Sequence, residues 1–429
     1  MLETLQNMNP ILLAGLKVAI LVVPILMLVP GLIWWERRLL SWMQDRIGPN
    51  RSGTITLASG KKIRTFGLLQ PILDGVKLFF KEDVTPNSID RKIYFIAPAV
   101  ALFPAFVLGG TMPFAPSVGI WEYLTPVADI EIGLLFVLAI SSLGVYGVVL
   151  AGYASNNKYS LMGGLRASAQ LISYELAMGV ALLAIVFASG SLKMTTLVEI
   201  QEAPLFGTME SLQNWFFFTP YGFISAIIFF ICMIAETNRA PFDLPEAENE
   251  LIAGYHTEYS SMKFAVFFMG EYAAMFIFSG IFTCVFFGGY NLLPVNFEYL
   301  AANASFGAGM WEFLGKINVS LAPLWFVGKM AFFFSTFIWI RATLPRLRYD
   351  QLMSLGWKTL LPVAVANFIV VGLWMIITDL KGITSGWITY GGAMILLVLL
   401  YLQLVAAKKR ASDSPEKRTI TMVDPGASS

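Results

Sequence analysis

Long apolar stretches recur along the 429 residues, and polar segments separate them. A helix needs roughly 20 apolar residues to cross a hydrocarbon core of about 30 Å. Nine stretches come close to this length, and they predict an all-α, polytopic membrane protein whose single integral-membrane domain covers residues 1–407. The predicted spans lie near residues 11–35, 94–110, 132–151, 167–188, 216–235, 263–287, 323–340, 360–378 and 387–407.

The lysine and arginine side chains indicate how these spans are oriented. Of the 29, 24 lie on one side when nine spans alternate, and three lie on the other. Cytoplasmic loops hold the excess of such cations, so we expect the N-terminus outside and the C-terminus in the cytoplasm. The first apolar run is too long for a signal peptide and lacks a basic leader, so it is expected to remain as a span.

Two segments on the basic side are more than plain connections. Apolar residues recur at helical spacing between 67 and 81, opposite a polar stripe, which predicts an amphipathic helix. It is too short to span, so we expect it to lie at the membrane interface. A helix that caps the inner face of the protein is the alternative. The tail, residues 408–429, is polar and is predicted to be a disordered cytoplasmic segment.

Composition, net charge and residue counts argue against several classes of function for this chain. The chain is 57% hydrophobic and 13% charged, and its net charge of +1 argues against a nucleic-acid partner. One histidine, His256, and two cysteines, Cys232 and Cys284, are too few for a haem pair, an iron–sulfur cluster or a histidine-rich metal site. No nucleotide-binding fingerprint is present. We expect no resident redox centre and no metal site.

Three carboxyl groups fall within or at the end of predicted spans. Glu175, Glu236 and Glu271 belong to three different helices at similar predicted depth. Ionisable groups inside a membrane are costly, so they are functional candidates, and we interpret them as proton carriers. Lys329 is a possible counter-charge. The alternative is that one or another Glu only forms a hydrogen bond across a helix pair.

The loop from Glu236 to Tyr259 is the densest charge feature. Its further carboxylates surround one fixed cation, Arg239, and two prolines prevent the preceding span from continuing. The interleaved apolar residues suggest partial burial, whereas a solvated acidic loop is the usual interpretation, and both remain open. These carboxylates are Asp243, Glu246, Glu248, Glu250 and Glu258.

Several strings together resemble the H subunit of the proton-pumping NADH:quinone oxidoreductase, respiratory complex I. They occur in the family's order and, with the spans between, cover about residues 11–379. AETNRAPFDLPEAE, from residue 235, is the most specific. The strings are ERRLLSWMQDRIGPNR (36–51), GLLQPILDGVKLFFKED (67–83), YSLMGGLRASAQLISYELAMG (159–179), AETNRAPFDLPEAENELIAGYHTEYSSMKFAVFFMGEY (235–272) and LWFVGKMAFFFSTFIWIRATLPRLRYDQLMSLGWK (324–358).

The resemblance implies roles for individual positions. A quinone chamber would be lined by Arg37, Arg46, Asp74, Arg239 and Phe242. A proton path would run through Glu175, Glu236, Asp243, Glu246, Glu248, Glu250, Glu258 and Glu271. Two departures stand out: residues 52–66 are longer than the usual spacing, and Ser141-Ser142 occupies a position where the family's path carries a carboxylate. There the path would use water or a neighbouring group.

The implied function is that of a membrane subunit of complex I in a bacterial inner membrane, which couples quinone reduction to proton translocation and is not catalytic alone. Its substrate would be ubiquinone or menaquinone. FMN and the iron–sulfur clusters would belong to partner subunits of the peripheral arm, beside small and antiporter-like membrane subunits and lipid. The alternatives are the homologous subunit of a membrane-bound hydrogenase or ferredoxin-fed complex, a stand-alone proton-coupled transporter, or a passive anchor for soluble partners.

Overall fold

The protein is a bundle of long apolar helices. The computed structural model describes residues 9–50, 55–56, 62–63, 65–119, 121–205, 209–243, 253–303 and 308–381. Its helices are α1 (Pro10–Met43), α2 (Gln70–Phe80), α3 (Arg91–Gly109), α4 (Trp121–Leu124), α5 (Gly133–Ala154), α6 (Lys158–Ser189), α7 (Met194–Ile200), α8 (Pro220–Glu236), α9 (Ser261–Phe286), α10 (Phe297–Asn303), α11 (Ala308–Ser320), α12 (Ala322–Thr343), α13 (Tyr349–Leu355) and α14 (Leu361–Lys381).

Short elements connect these helices. A π-helical turn, Gly356–Leu360, joins α13 to α14, and 3-10 turns cover Phe216–Phe218 and Gly254–His256. The strands β1 (Ile55–Thr56) and β2 (Lys62–Ile63) pair antiparallel within the 52–66 segment. A second antiparallel pair, β3 (Pro204–Leu205) and β4 (Met209–Gln213), lies between α7 and α8.

The prediction of an all-α polytopic membrane protein is confirmed. Seven helices in the described part of the chain are long and apolar enough to cross a membrane, and α8 is a shorter apolar helix. They coincide with the first eight predicted spans, although α1 and α6 extend eight and nine residues beyond the predicted boundaries at their polar ends. The ninth predicted span, 387–407, and the tail, 408–429, lie outside the described residues.

Local chemistry explains several helix boundaries. The side chain of Asn9 accepts from the N–H of Ile11 and begins α1, and Asn157 begins α6 in the same way. At the other end of α6, Gly190 adopts φ +69°, a left-handed conformation that terminates a helix at low cost for glycine. The hydroxyl of Thr219 accepts from Gly222 N–H, and Pro220 occupies the first position of α8.

Helix α9 forms the centre of the bundle. It packs against α1, α3, α7, α8 and α12, and every residue from Met275 to Phe286 is buried. A helix that is apolar on all sides is buried on all sides, as this half of α9 is. Because α9 contacts so many elements, side chains on its other half can meet groups from several parts of the chain.

The predicted amphipathic helix is present as α2. Its apolar side chains point away from the rest of the described chain; Phe79 and Phe80 are 66% and 81% exposed. The hydroxyl of Ser261, at the start of α9, donates to the carbonyls of Leu78 and Lys81 and ties the end of α2 to the bundle. The exposed apolar face favours the interfacial placement over a helix that covers the protein's inner face.

Candidate functional site

The loop after α8 turns back into the bundle. Asn238 adopts φ +49° and ends the helix, and Gln170 of α6 holds the turn. The amide of Gln170 donates to the carbonyls of Ala235 and Phe242, both at 2.8 Å. Gln170 is fully buried, and sequence reasoning missed it; an amide inside a predicted span was the available signal.

Arg239 therefore lies inside the protein. It is 5% exposed, and its Nη2 lies 3.3 Å from Oε2 of Glu271 on α9. The guanidinium also stacks on the Tyr272 ring, 4.5 Å from its centroid. The hydroxyl of Tyr255 donates to the other carboxylate oxygen of Glu271 at 3.0 Å. Both oxygens of Glu271 thus have polar partners.

A second ion pair adjoins the first through Tyr272. The Tyr272 hydroxyl donates to Oε2 of Glu36 at 2.6 Å, and Arg341 of α12 pairs with the other oxygen of Glu36. Glu36 is 6% exposed at the inner end of a 34-residue apolar helix. Glu36 begins the string at 36–51, but sequence reasoning did not select it as a site residue. The available signal was a carboxylate directly after a predicted span.

The other described carboxylates of the loop have separate partners. Asp243 is 5% exposed and lies 3.1 Å from Nη2 of Arg346. Glu258 accepts from the amide of Asn157 at 2.6 Å. Glu246, Glu248 and Glu250 lie outside the described residues. The solvated interpretation of this loop is therefore wrong for Asp243 and Arg239, both of which are buried.

Glu236, the last residue of α8, faces a partly open cavity of about 80 Å³ between the helices, here called the internal cavity. Its Oε2 is buried and has no hydrogen-bond partner among the described residues. A buried water needs roughly 10–15 Å³ and two or more polar partners, so the cavity has room for several. Apolar side chains form most of its wall, and its polar lining consists of Ser141, Glu236, Thr237, Asn238, Tyr255 and Glu271.

Glu175 lies behind this cavity. Helix α6 begins at Lys158, so Glu175 lies about 25 Å along it at 1.5 Å per residue. Its Oε1 accepts from the hydroxyl of Ser141 on α5 at 3.1 Å. The structure thus brings Glu236 and Glu271 to one cavity and connects Glu175 to it through Ser141.

The predicted quinone-chamber residues divide into two groups. Arg37 and Asp74 form an ion pair of 2.7 Å between α1 and α2. A concavity of about 690 Å³, here called the mouth, opens beside them; it is lined by Arg37, Leu40, Ser41, Arg46, Ile47, Gly48 and Pro49. By contrast, Phe242 is buried against Tyr174, with ring centroids 5.5 Å apart, and Arg239 is buried beside Glu271.

Two further predictions concern charge and metals. Lys329 is not the counter-charge of the carboxyl groups, because its ammonium donates to the carbonyls of Phe287 and Gly289 beyond the far end of α9. Along α9 this is 16 residues, about 24 Å, from Glu271. Within the described ranges, no group of three or more His, Cys, Asp or Glu side chains could hold a metal ion.

The single histidine lies beside the site, outside the spans. His256 packs edge-on against Tyr255 and against Phe264. Burial lowers the pKa of His256 from 6.5 to about 4, and the nearby Asp243 carboxylate only partly opposes this. His256 is therefore neutral at physiological pH.

A further concavity of about 800 Å³, larger than both the internal cavity and the mouth, lies at the opposite end of the bundle. Glu202, Tyr290, Asn291 and Trp311 are among its lining residues, and none of the described candidate residues lines it. Size alone therefore does not identify the chemical site; the position of the buried ionisable groups does.

Comparison with known proteins supplies a family. Residues 16–372 match the model of the family described as NADH dehydrogenase. The H subunit of the NADH-quinone oxidoreductase of Rickettsia bellii (strain OSU 85-389) is 42% identical over 372 residues, which cover 86% of this chain and 96% of the relative. The corresponding Rickettsia africae protein, also an H subunit, is 41% identical with the same coverage. The H 2 subunit of the NADH-quinone oxidoreductase of Geobacter metallireducens is 43% identical over 83% of this chain and 94% of its own.

Proposed function

Since this chain belongs to the NADH dehydrogenase family, as an H subunit of NADH-quinone oxidoreductase, we propose that it helps to form the chamber in which quinone is reduced and couples that reduction to proton translocation. The observation that carries the proposal is the internal cavity between the carboxyl groups of Glu236 and Glu271. Carboxyl groups at a cavity large enough for water can take up and pass on protons.

The mouth is the part of the chain that fits the polar head of a quinone. Arg37 and Arg46 contribute positive charge, and Leu40, Ile47 and Pro49 contribute apolar surface. The exposed apolar face of α2 borders this region, because Asp74 of α2 pairs with Arg37. A lipid-soluble substrate can therefore approach along an apolar surface and meet cations at its end.

A chain of contacts leads from the mouth to the cavity. Glu36 precedes Arg37 in the sequence, and the Tyr272 hydroxyl donates to Glu36. The Tyr272 ring carries the Arg239 guanidinium, which pairs with Glu271 at the cavity wall. Quinone reduction takes up two electrons and two protons, so charge develops at the mouth before the protons arrive. A change of charge at the mouth alters the electric field at each residue in this series of contacts, and such fields are strong in a low-dielectric interior.

Other elements of the reaction belong to partner subunits. A cluster needs about four thiolates, and this chain has two cysteines, so iron–sulfur centres and FMN would lie in the peripheral arm. We place the chain in a bacterial inner membrane with its N-terminus outside, because the basic loops then face the cytoplasm. The mouth and the loop after α8 would both lie on that cytoplasmic side, where the peripheral arm docks.

The test compares Glu236→Gln with Glu298→Gln in the purified complex, reconstituted in proteoliposomes. Glu298 lies on α10, exposed at the opposite end of the bundle, so its variant controls for the chemical change alone. We expect Glu236→Gln to lower NADH-driven quinone reduction and proton pumping together by about tenfold or more, because an amide cannot carry the proton. Glu298→Gln should leave both rates unchanged. Normal rates of both activities in assembled Glu236→Gln complex would contradict the proposal.

A further inference from the structure

We infer that the hydroxyl of Ser141 is a proton relay between the internal cavity and Glu175, an inference that rests on the proposed function. Ser141 lines the cavity together with Glu236 and Glu271, and its Oγ lies 3.1 Å from Oε1 of Glu175. Glu175 itself is not among the residues that line the cavity. In the described part of the chain, Ser141 is the only side chain that forms a hydrogen bond with the Glu175 carboxyl.

Position and packing favour this role. Ser141 is 4% exposed, at a point where α5 faces α6 across the cavity wall. Gly144, Val145 and Val148 of the same helix also line the cavity, one or two turns closer to the Glu236 end of the bundle. These three residues have no polar side-chain atom that could pass a proton. A proton that moves from cavity water to Glu175 therefore meets Ser141 Oγ first.

The hydroxyl has a partner in both protonation states of Glu175. A hydroxyl has one donor and two acceptor positions. When Glu175 is ionised, Ser141 donates to its carboxylate. When Glu175 is protonated, its O–H can donate to Ser141 Oγ, and the serine hydrogen can turn to the carbonyl of Leu138, 2.9 Å away. In both states Ser141 Oγ and Oε1 of Glu175 keep a hydrogen bond to each other.

The transfer step is balanced at the serine oxygen. A proton arriving from cavity water forms a new O–H bond to Ser141 Oγ, while the proton that Ser141 held passes to Oε1 of Glu175. One O–H bond forms and one breaks at the serine, and Glu175 changes from charge −1 to neutral. Rotation of the hydroxyl then restores the starting geometry.

The competing explanation is structural. Serine hydroxyls in helices commonly bond to the carbonyl three or four residues earlier, without any further role. The chain offers a matched control for this explanation in Ser142, whose hydroxyl donates to the Ala139 carbonyl at 2.9 Å on the exposed side of α5. Removal of either hydroxyl deletes the same back-bond, but only Ser141 reaches Glu175.

The experiment uses the assembled complex in proteoliposomes, with quinone reduction and proton pumping normalised to the amount of complex. We expect Ser141→Ala to lower both rates by about tenfold, the scale of one lost hydrogen bond to a charged group. Ser142→Ala should match the wild type. Ser141→Thr, which keeps the hydroxyl, should retain most of the activity, whereas Ser141→Val, in which a methyl group replaces the threonine hydroxyl at equal size, should not.

Measurement of Glu175→Gln in parallel separates the Ser141 relay from the proposed function. If the Glu175→Gln complex is slow and the Ser141→Ala complex has normal rates of quinone reduction and proton pumping, the relay is overturned and the proposed function stands. Normal Glu175→Gln complex would instead count against a proton path through Glu175 at all. Loss of activity in Ser141→Ala without recovery in Ser141→Thr would mean that Ser141 only packs, which also overturns the relay.

Discussion

The two ends of the bundle both bury polar groups, but the partners of those groups differ. Near the mouth, an inner cluster of Glu36, Glu236, Arg239, Asp243 and Glu271 is buried or nearly so. Four of these are held in ion pairs, and the fifth, Glu236, faces the cavity. Each partner in those pairs is itself ionisable. The charge of one member therefore affects the others.

At the other end, an outer cap of Gln201, Trp215 and Lys329 closes α9. The Gln201 amide donates to the Cys284 carbonyl and accepts from Gly288 N–H. The Lys329 ammonium donates to the Phe287 and Gly289 carbonyls and lies 4.1 Å from the Trp215 ring centroid. A cation near the C-terminus of a helix is favourable, because the helix dipole is negative there.

The difference shows that burial of a charge does not by itself indicate chemistry. Backbone carbonyls cannot gain or lose protons, so the partners of Lys329 and Gln201 in the outer cap keep their charge, and the cap stabilises the end of α9. Carboxyl groups can change protonation in response to a charge placed nearby, while their arginine partners stay charged, so the inner cluster can take more than one protonation state. The identity of the partner therefore separates a structural ion from one that can serve a proton pump.

The largest expected effect comes from breaking the inner cluster. Arg239→Met removes the cation that pairs with Glu271 and leaves a buried carboxylate without it. Removal of one partner of a buried ion pair costs roughly 3–5 kcal/mol. We expect the variant complex to dissociate at a clearly lower temperature in detergent, and the assembled fraction to reduce quinone more slowly.

Arg346→Met is the matched control. Its partner Asp243 is also buried, but the Arg346 side chain is 41% exposed, so water can replace part of the lost interaction. The loss of stability should therefore be smaller than for Arg239→Met. Equal losses would show that the pair with Glu271 has no special position in the cluster.

The next effect concerns the outer cap. Lys329→Met removes two hydrogen bonds and leaves the Phe287 and Gly289 carbonyls without that donor. The expected cost is about 1–3 kcal/mol of stability, seen as a lower dissociation temperature. Turnover per assembled complex should stay within about twofold of the wild type. A large loss of quinone reduction in intact complex would erase the distinction between the two ends.

Lys329 also shows where sequence reasoning ends. Hydrophobic length located seven helices that are long enough to cross a membrane and the shorter helix α8 in the described part of the chain, because the cost of desolvating backbone and side chains depends on local composition. Depth along a span selected Glu175, Glu236 and Glu271 as candidates; Glu236 and Glu271 line one cavity and Glu175 bonds to Ser141 beside it, while their role as proton carriers stays a prediction. It could not tell that Lys329 faces carbonyls at the far end of α9, because the partner of a side chain depends on helix packing and rotation.

The same limit applies to the residues that were missed. Gln170 and Tyr272 carry no charge, so a search for charged groups inside the predicted spans did not select them, yet each contacts a member of the site. Phe242 shows a different limit. The family resemblance implied a chamber residue, and its ring packs against Tyr174 in the interior, so its part in a chamber stays a prediction.

The smallest effect is a pH dependence at the edge of the inner cluster. His256 has an ordinary pKa of 6.5 and a folded-state pKa of about 4. Between these values the unfolded chain binds a proton that the folded chain does not, so stability falls as the pH drops from about 6.5 towards 4. At pH 6 the loss is about 0.8 kcal/mol by linkage, since about three quarters of the unfolded chains then carry the proton. Above about pH 7 His256 is neutral in both the folded and the unfolded chain, so this loss of stability disappears.

His256→Phe tests this sign. Phenylalanine keeps the ring that packs against Tyr255 and Phe264 but cannot be protonated. Because His256 is the only histidine of the chain, the difference between variant and wild type isolates it from histidines elsewhere in the complex. The dissociation temperature of the variant should fall less than that of the wild type between pH 7 and pH 6. Parallel falls would mean that His256 stays accessible to protons in the folded state and that the inner cluster is less enclosed at this edge than its geometry indicates.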